Sequence, residues 1–449
     1  MITKIEVDGF KSLSQFELKL NSGLNILVGP NGAGKTNIIL FFEFLSKMAR
    51  NPIAYAVSSV GGAGSIFKKI RKEEYQDTIS FKIHGALQQG KNSFLVYELS
   101  AVIKSSFEKD DIYFNQQSIK VRTATKFWAD PDDIKGKTTW DFNLEYIYPG
   151  GNNGLIIHDL NEKKLKPRHF FNTSDNTQDF EKSFKEFITK NDPSTQLIII
   201  SLFPIVEHSH VIINDIIGGE SFNIVPSKVK EQEDAAKPPG IKKDGSGLST
   251  TLYALKKSKP VSQPDFLFYY YFDRNEKNYD PKTLSKIIYY LKLANKTIID
   301  LDVENDPFDN KLIIKIFIHT GNYEAVLPLS SMSDGTIKWL TLITAILTSK
   351  TIFSIEEPEN FLHPWMQAEI ANIMREHIES KNNQSFVIMT THSESLLNHS
   401  NANEIVLVDL VEGKTRARKI PNIDLLQNEI EQTGIGLGNF YFANSFDNE

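Results

Sequence analysis

Residues Gly29-Pro-Asn-Gly-Ala-Gly-Lys-Thr36 fit the spacing G-x-x-x-x-G-K-[ST]. Glycines at these places let successive backbone N–H groups turn inward around phosphate oxygens. A lysine then reaches the β- and γ-phosphates of a nucleoside triphosphate, and a hydroxyl reaches Mg²⁺. Here those residues are Lys35 and Thr36, with Gly29, Pro30, Asn31, Gly32, Ala33, Gly34 and Asn37 completing the cradle. The motif needs a strand before it and a helix after it. Leu24–Val28 is a short apolar strand, and Asn37–Met48 reads as an apolar helix. A chance glycine-rich turn would lack both flanks.

A second set of candidates lies toward the other end of the chain. Thr351-Ile-Phe-Ser-Ile-Glu-Glu-Pro358 is an apolar strand that delivers two adjacent carboxylates at its C-terminal end. Open α/β sheets bind their ligands at that end. Neighbouring strand residues point to opposite sides, so the two acids take different work. Glu356 is the candidate Mg²⁺ ligand, direct or through water, and Glu357 the candidate general base that polarises an attacking water. Alone, the pair reads equally well as a solvated acidic turn; the phosphate loop upstream tips the reading toward chemistry.

Two helix starts complete the set. Leu329-Ser-Ser-Met-Ser-Asp-Gly-Thr336 opens the apolar helix Ile337–Leu347. A small polar turn in that place is an N-cap. Its functional reading is a phosphate-binding helix N-terminus. One nucleotide is not easily capped by two such termini from one fold, so Ser333, Asp334 and Gly335 would serve a nucleotide on a partner subunit. Met389-Thr-Thr-His-Ser393 again ends a strand, where His392 can donate a hydrogen bond to a γ-phosphate. The plainer fate of a lone histidine is to be satisfied within such a turn.

These residues need a frame. Apolar and polar residues alternate at Ile2–Val7 and Phe16–Leu20, and two hairpin-like strands follow near Thr78–Ile83 and Leu95–Ile103. Later come helix Pro281–Lys296 and strands Thr297–Val303, Lys311–His319 and Tyr323–Leu327. The text then alternates: helix Gly335–Leu347, strand Thr351–Ile355, helix Pro364–Ser380, strand Ser385–Thr390, helix Glu394–Asn398, strand Glu404–Asp409. That order predicts an α/β fold with a mixed or parallel sheet and flanking helices. Residues 105–265 are different, rich in Lys, Asp, Asn and aromatics. They read as an α+β insertion or lid between two halves of one head, 1–104 and 266–449. Within them, Lys228–Gly247 is expected to be a loop or a poorly ordered segment. No heptads mark a coiled-coil arm, and no internal repeat is visible.

Composition narrows the class. The chain has 449 residues, of which 40% are hydrophobic and 24% charged, so a large core can form in two or three domains. Apolar runs such as Gln196–Pro204 are too short to span a bilayer, and Met1-Ile-Thr-Lys-Ile-Glu has no secretory pattern. A cytoplasmic protein without membrane attachment is expected. The absence of cysteine excludes disulfides, iron–sulfur clusters and Cys-based zinc sites. A net charge of −6 argues against a surface that coats nucleic acid, and leaves a local basic groove open.

Taken in order, Gly29–Thr36, then Ser333-Asp-Gly-Thr336, then Ile355-Glu-Glu-Pro-Glu-Asn-Phe-Leu-His-Pro364, then Thr391-His-Ser393 resemble four motifs of ABC-type ATPases. These are the Walker A, the signature, the Walker B with D-loop, and the His-switch. The nearest branch is the RecF/SMC/OLD-like group of stand-alone bacterial AAA family ATPases. Val7-Asp-Gly-Phe-Lys-Ser-Leu13, Lys243–Leu252 and Gly434–Phe442 resemble its opening, mid-chain and C-terminal segments. The resemblance implies a P-loop NTPase fold of ABC type, ATP and Mg²⁺ as cofactors, and hydrolysis by Lys35, Glu357 and His392. It also implies a homodimer or larger oligomer, in which Ser333 and Gly335 reach the γ-phosphate of the opposite protomer. Asn360–His363 would couple the two sites as the D-loop, and Lys11 would lie near the phosphates. The sequence departs from the ABC pattern twice. Met-Ser-Asp-Gly-Thr replaces Leu-Ser-Gly-Gly-Gln, and Glu356 stands where transporters carry Asp. Gln88, Gln89, Gln116 and Gln117 all compete for the Q-loop.

ATPases of this kind act as switches whose output lies in something attached. No membrane span, coiled coil or Toprim-like acidic cluster after His392 is visible in this chain. The expectation is therefore an ATPase that controls a separately encoded effector such as a nuclease, as in the anti-phage systems PARIS and Septu. The alternative is a RecF-like ATP-dependent DNA-binding clamp. For that alternative, Phe266–Phe272 could stack bases, although contiguous aromatics more often pack as core. The lysines of 228–259 could contact DNA or line a solvated loop.

Overall fold

The alternation in the first twenty residues becomes two antiparallel strands, β1 (Ile2–Asp8) and β2 (Phe16–Lys19), in the computed structural model of the chain. The structure describes residues 1–72, 74–90, 93–106, 111–125, 138–149, 154–161, 177–206, 209–258, 280–321, 323–349, 352–380 and 385–443. They divide into two units. The first is Met1–Glu220 with Lys381–Phe386 and Glu404–Ile420; the second is Ser221–Ser380 with Val387–Asn403 and Pro421–Glu449. The phosphate loop belongs to the first, and the other three motifs to the second.

In the first unit, β3 (Gly23–Val28) is buried along almost its whole length and runs straight into the phosphate loop and the helix Lys35–Met48. A short hairpin, β4 (Lys69–Arg71) and β5 (Glu74–Tyr75), follows. Then come five long strands: β6 (Thr78–Gly90), β7 (Ser93–Ser106), β8 (Asp111–Ala124), β9 (Thr138–Ile147) and β10 (Leu155–Leu160). With β1 and β2 they form a sheet in the order β10-β9-β8-β7-β6-β1-β2 among the described residues, antiparallel throughout. Leu95, Tyr97, Leu99, Ala101 and Ile103 of β7 bury one face with the strand period of two. The boundary expected at 104 falls inside β7. Because β8 to β10 continue the same hydrogen-bonded ladder, no seam exists there, and the sheet of the N-terminal part reaches at least to Leu160.

The C-terminal hairpin of this unit is β18 (Ile405–Val411) and β19 (Lys414–Lys419). β18 lies parallel to β3, in the register Ile405↔Ile26 to Leu407↔Val28. Phe10, fully buried in the turn after β1, stacks on Phe44 at 5.7 Å and meets Phe41 edge-on at 5.5 Å. Those two rings belong to the helix that follows the phosphate loop, so the β1–β2 turn is packed against it. Truncating a buried Phe of this kind costs about 3–5 kcal/mol.

In the second unit, β11 (Glu220–Phe222), β16 (Ile352–Glu356) and β17 (Phe386–Thr390) lie side by side in that order. The helix Asp334–Thr348 is buried almost all round, from Thr336 to Ile346. Its Trp339 donates from Nε1 to Tyr290 O at 2.9 Å and meets Trp365 edge-on. A separate sheet holds β12 (Glu233–Asp234), β13 (Ile298–Asp306), β14 (Lys311–His319) and β15 (Glu324–Pro328).

The stretch Lys228–Gly247, expected as a loop or a poorly ordered segment, is mostly loop and turn, and it is anchored by one buried carboxylate. Buried Glu233 accepts from the backbone N–H groups of Gly247, Ser249 (3.0 Å) and Thr250 (3.3 Å). A carboxylate thus caps the N-terminus of the helix Leu248–Lys257, where unpaired N–H groups and the helix dipole both favour negative charge. Among the described residues, no helix is long and apolar enough to cross a membrane.

Candidate functional site

The phosphate loop has the built form the sequence predicts. Gly34 sits at φ 99°, a left-handed conformation that a side chain resists, and immediately opens the helix at Lys35. Lys35 is 8% exposed and its Nζ donates back to Gly29 O at 2.7 Å and Pro30 O at 3.0 Å. A buried ammonium needs such oxygens; phosphate oxygens would be a stronger set of the same kind. Pro30, Asn31, Gly32 and Thr36 are exposed, and Ala33 is buried. Asn37 does not face solvent alone: its Nδ2 donates to Ser12 Oγ at 2.7 Å. Lys11, next to Ser12, holds φ 48° and its N–H donates to Ile66 O, which fixes the turn beside the loop.

In the second unit, three of the sequence candidates and their neighbours form one cluster. β16 ends on buried Glu356, and Glu357 then turns out to solvent at φ 45°. Its N–H is held by Thr390 O at 3.1 Å and Thr390 Oγ1 at 3.2 Å, at the end of β17. The Glu357 carboxylate accepts from Asn360 Nδ2 at 2.9 Å. Glu359, two residues on, accepts from the His392 N–H at 2.7 Å and from Thr391 Oγ1 at 2.9 Å. This fixes the backbone of the histidine loop. The His392 ring ends in a buried Nε2 with no hydrogen-bond partner among the described residues. An orphaned buried polar nitrogen calls for a partner, and a phosphate oxygen is one that suits it.

Sequence reasoning passed over Lys338, the lone cation in the apolar helix Asp334–Thr348. It is 2% exposed and its Nζ donates to Glu357 O at 3.1 Å. Burial pushes its pKa down to about 8, and the charges of Glu359 and Glu357 oppose that shift. A single lysine inside a buried helix was the available signal.

Ser333 does cap its own helix: Thr336 N–H donates to Ser333 Oγ at 3.3 Å, and the two hydroxyls lie 2.9 Å apart. Asp334, exposed, pairs with Lys230 at 2.8 Å. Gly335 leaves no room for a side chain, because a Cβ there would lie 2.7 Å from Phe361 O. Phe361 in turn holds φ 68° and is 64% exposed. The start of the helix Asp334–Thr348 and the turn after β16 therefore touch through Gly335 and Phe361.

Other sequence candidates fall elsewhere. Gln117 is fully buried, donating to Pro193 O and Gln196 O and accepting from Ile198 N–H, so its amide is committed to structure. Gln116 donates to Glu145, and Gln88 to Gly90 O. Four of the lysines of 228–259 have partners: Lys228 with Glu231, Lys230 with Asp334, Lys256 with Asp302, and Lys257 over the Tyr253 ring. The run Phe266–Phe272 lies outside the described residues. Thr36 and Glu356 offer hydroxyl and carboxylate oxygens, the hard donors Mg²⁺ takes. Mg²⁺ needs one or two carboxylates beside substrate phosphates rather than a protein cage.

Over 87 residues the chain is 36% identical to the DNA double-strand break repair Rad50 ATPase of Methanopyrus kandleri. That stretch is 17% of this chain and only 10% of the relative's length. Among solved structures it is similar to an SmcHead bound to the C-winged helix domain of ScpA, with 13% identity and a TM-score of 0.47, covering 93% of this chain and 97% of the other. It is also similar to the SMC head domain from Thermotoga maritima, with 10% identity and a TM-score of 0.40, covering 93% and 98%. One family model spans residues 24–398, from the strand before the phosphate loop to the helix after His392. That model covers most of the chain, which belongs to the family described as "AAA domain, putative AbiEii toxin, Type IV TA system".

Proposed function

We propose that this chain is an ATP-hydrolysing switch that works as a head-to-tail dimer or larger oligomer and governs a separate effector. The observation that carries the ATP reading is the phosphate loop. A strand delivers it, a helix N-terminus closes it, and a buried lysine lies folded along it. Lys35 would hold phosphate oxygens, and Thr36 and Glu356 would hold Mg²⁺. Glu357, exposed and turned out of its strand, would take a proton from the attacking water. The partnerless Nε2 of His392 would give a hydrogen bond to the terminal phosphate.

The oligomer reading rests on Ser333 and Gly335. They stand at a second helix N-terminus whose Gly335 packs on the D-loop of the same chain. That arrangement supports a contact to a nucleotide held by another copy, with hydrolysis reported to the D-loop. The effector reading rests on the family's toxin–antitoxin description, and a role in anti-phage defence inside the cytoplasm fits it. A DNA clamp receives less support, because three of the lysines proposed for it, Lys228, Lys230 and Lys256, are paired with carboxylates of the same chain.

The test is ATP turnover by wild type and Glu357→Gln, with particle size measured by light scattering in ATP and without nucleotide. Turnover by wild type alone, with the variant enlarged in ATP, supports the switch. Absence of nucleotide binding by wild type would end it.

A further inference from the structure

We infer that Thr415 and Ser12 form a built-in brace that orients the phosphate loop, so that two hydroxyls outside the motif set its grip on nucleotide. This rests on the ATP reading of Gly29–Thr36. Thr415 lies in β19 and is completely buried. Its Oγ1 is 3.0 Å from Ala33 O and 2.6 Å from Ser12 Oγ. Ser12 Oγ also accepts from Asn37 Nδ2 at 2.7 Å. The Thr415 N–H donates to Ser12 O at 2.9 Å, a second tie between the same two residues.

The proton inventory gives this chain one direction. Ala33 O can only accept, so the single hydroxyl proton of Thr415 goes to it. Thr415 can then only accept from Ser12, which gives its own proton and accepts from the Asn37 amide. The order is Asn37 to Ser12 to Thr415 to Ala33 O. The chain starts in the first turn of the helix and returns to the loop that precedes it. Hydrogen bonds arranged head to tail polarise one another, so the links act as a unit.

The target of the chain is one peptide group. In a planar trans peptide the carbonyl of Ala33 and the N–H of Gly34 point opposite ways. Tying Ala33 O to Thr415 therefore aims the Gly34 N–H away from β19. Gly34 has no side chain to interfere. A Cβ there would collide with Thr415 Oγ1 and lie 2.9 Å from Ser12 Oγ, so the two hydroxyls rest against its Cα. In a phosphate loop, inward N–H groups make the anion site. Thr415 and Ser12 are thus positioning residues. They touch the loop, and their effect on nucleotide passes through the Gly34 N–H.

The test compares Thr415→Val, which keeps shape and loses the hydroxyl, with Thr415→Ser, which keeps the hydroxyl, and with Ser12→Ala and the Thr415→Val/Ser12→Ala double variant. Affinity is read with a fluorescent ATP analogue and with ADP, alongside KM, kcat and nucleotide-free melting. Thr415→Val and Ser12→Ala are expected to weaken both nucleotides about tenfold and raise KM likewise, with kcat nearly unchanged. Thr415→Ser is expected to bind like wild type. The double variant should lose little more than the worse single, since the links form one unit. Unchanged affinity in Thr415→Val, with or without a lower melting point, would overturn the brace. So would equal losses in Thr415→Val and Thr415→Ser. Should Thr415→Val fail to fold, Ser12→Ala against Thr415→Ser decides by the same readout. Wild type that binds no ATP would overturn the ATP reading together with the brace; wild type that binds, with variants that bind equally, overturns the brace alone.

Discussion

Lys338 Nζ donates to the main-chain oxygen of Glu357 at 3.1 Å, from within the helix that Ser333 caps. Glu357 holds φ 45°, so its backbone needs holding. Lys338→Met is expected to lower kcat roughly 10- to 100-fold with nucleotide affinity intact, because the carboxylate is no longer aimed. The same lysine gives a pH signature. Its pKa falls from 10.5 to about 8 on burial, with Glu359 and Glu357 opposing the fall. Between those values the unfolded chain holds a proton that the folded chain has shed, so stability rises as pH rises through that window. Melting curves from pH 7 to 10.5 should show that component in wild type and lack it in Lys338→Met. Parallel curves would contradict the burial reading.

His392 presents a contrast between folding and function. Its backbone N–H is tied to Glu359, while its Nε2 has no partner among the described residues. His392→Ala should therefore leave melting nearly unchanged and cut turnover about 100-fold, the usual size for one donor aimed at developing charge. Melting and single-turnover hydrolysis check it; normal turnover would remove His392 from the site.

Gly335→Ala places a Cβ 2.7 Å from Phe361 O. A backbone oxygen cannot yield as a flexible side chain does, so either the helix start or the D-loop must shift. The variant is expected to lose ATP-dependent association before it loses ATP binding, read by light scattering beside equilibrium binding. A variant that associates like wild type would show that the contact between Gly335 and Phe361 carries no signal.

Lys35→Ala removes the cation that now rests on Gly29 O and Pro30 O. ATP affinity should fall at least 100-fold, since charge-assisted bonds to phosphate are among the strongest available. Isothermal titration with ATP and Mg²⁺ checks this.

What the sequence made legible was local. The strand, loop and helix from Leu24 to Met48 lie in one continuous stretch, and the spacing of the loop states its own chemistry. The helix Glu394–Asn398 matched to the residue because its start signal, Ser393, accepts from Leu396 N–H three positions on. The misses were non-local. The sheet that runs past residue 104 is held by strand pairings that composition does not encode. The segment 228–247 was legible as a loop, but not its anchor Glu233, whose partners begin fourteen positions later. Thr415 meets Ser12 across 403 positions, and no periodicity marks two hydroxyls that far apart. Lys338 was visible as an odd charge in an apolar helix, yet only the fold shows which oxygen it holds.

The most direct measurement is single-turnover ATP hydrolysis by Glu357→Gln, taken with its ATP affinity. Glu357 stands exposed at the end of β16 with its carboxylate held by Asn360 at 2.9 Å. Exchanging its acid for an amide changes proton acceptance with little change of shape. Hydrolysis is expected to fall about 10²- to 10⁴-fold, the usual range for a general base, while ATP binding stays within about twofold of wild type. Hydrolysis at the wild-type rate would contradict the assignment of Glu357 as the base, and with it the chemistry proposed for this site.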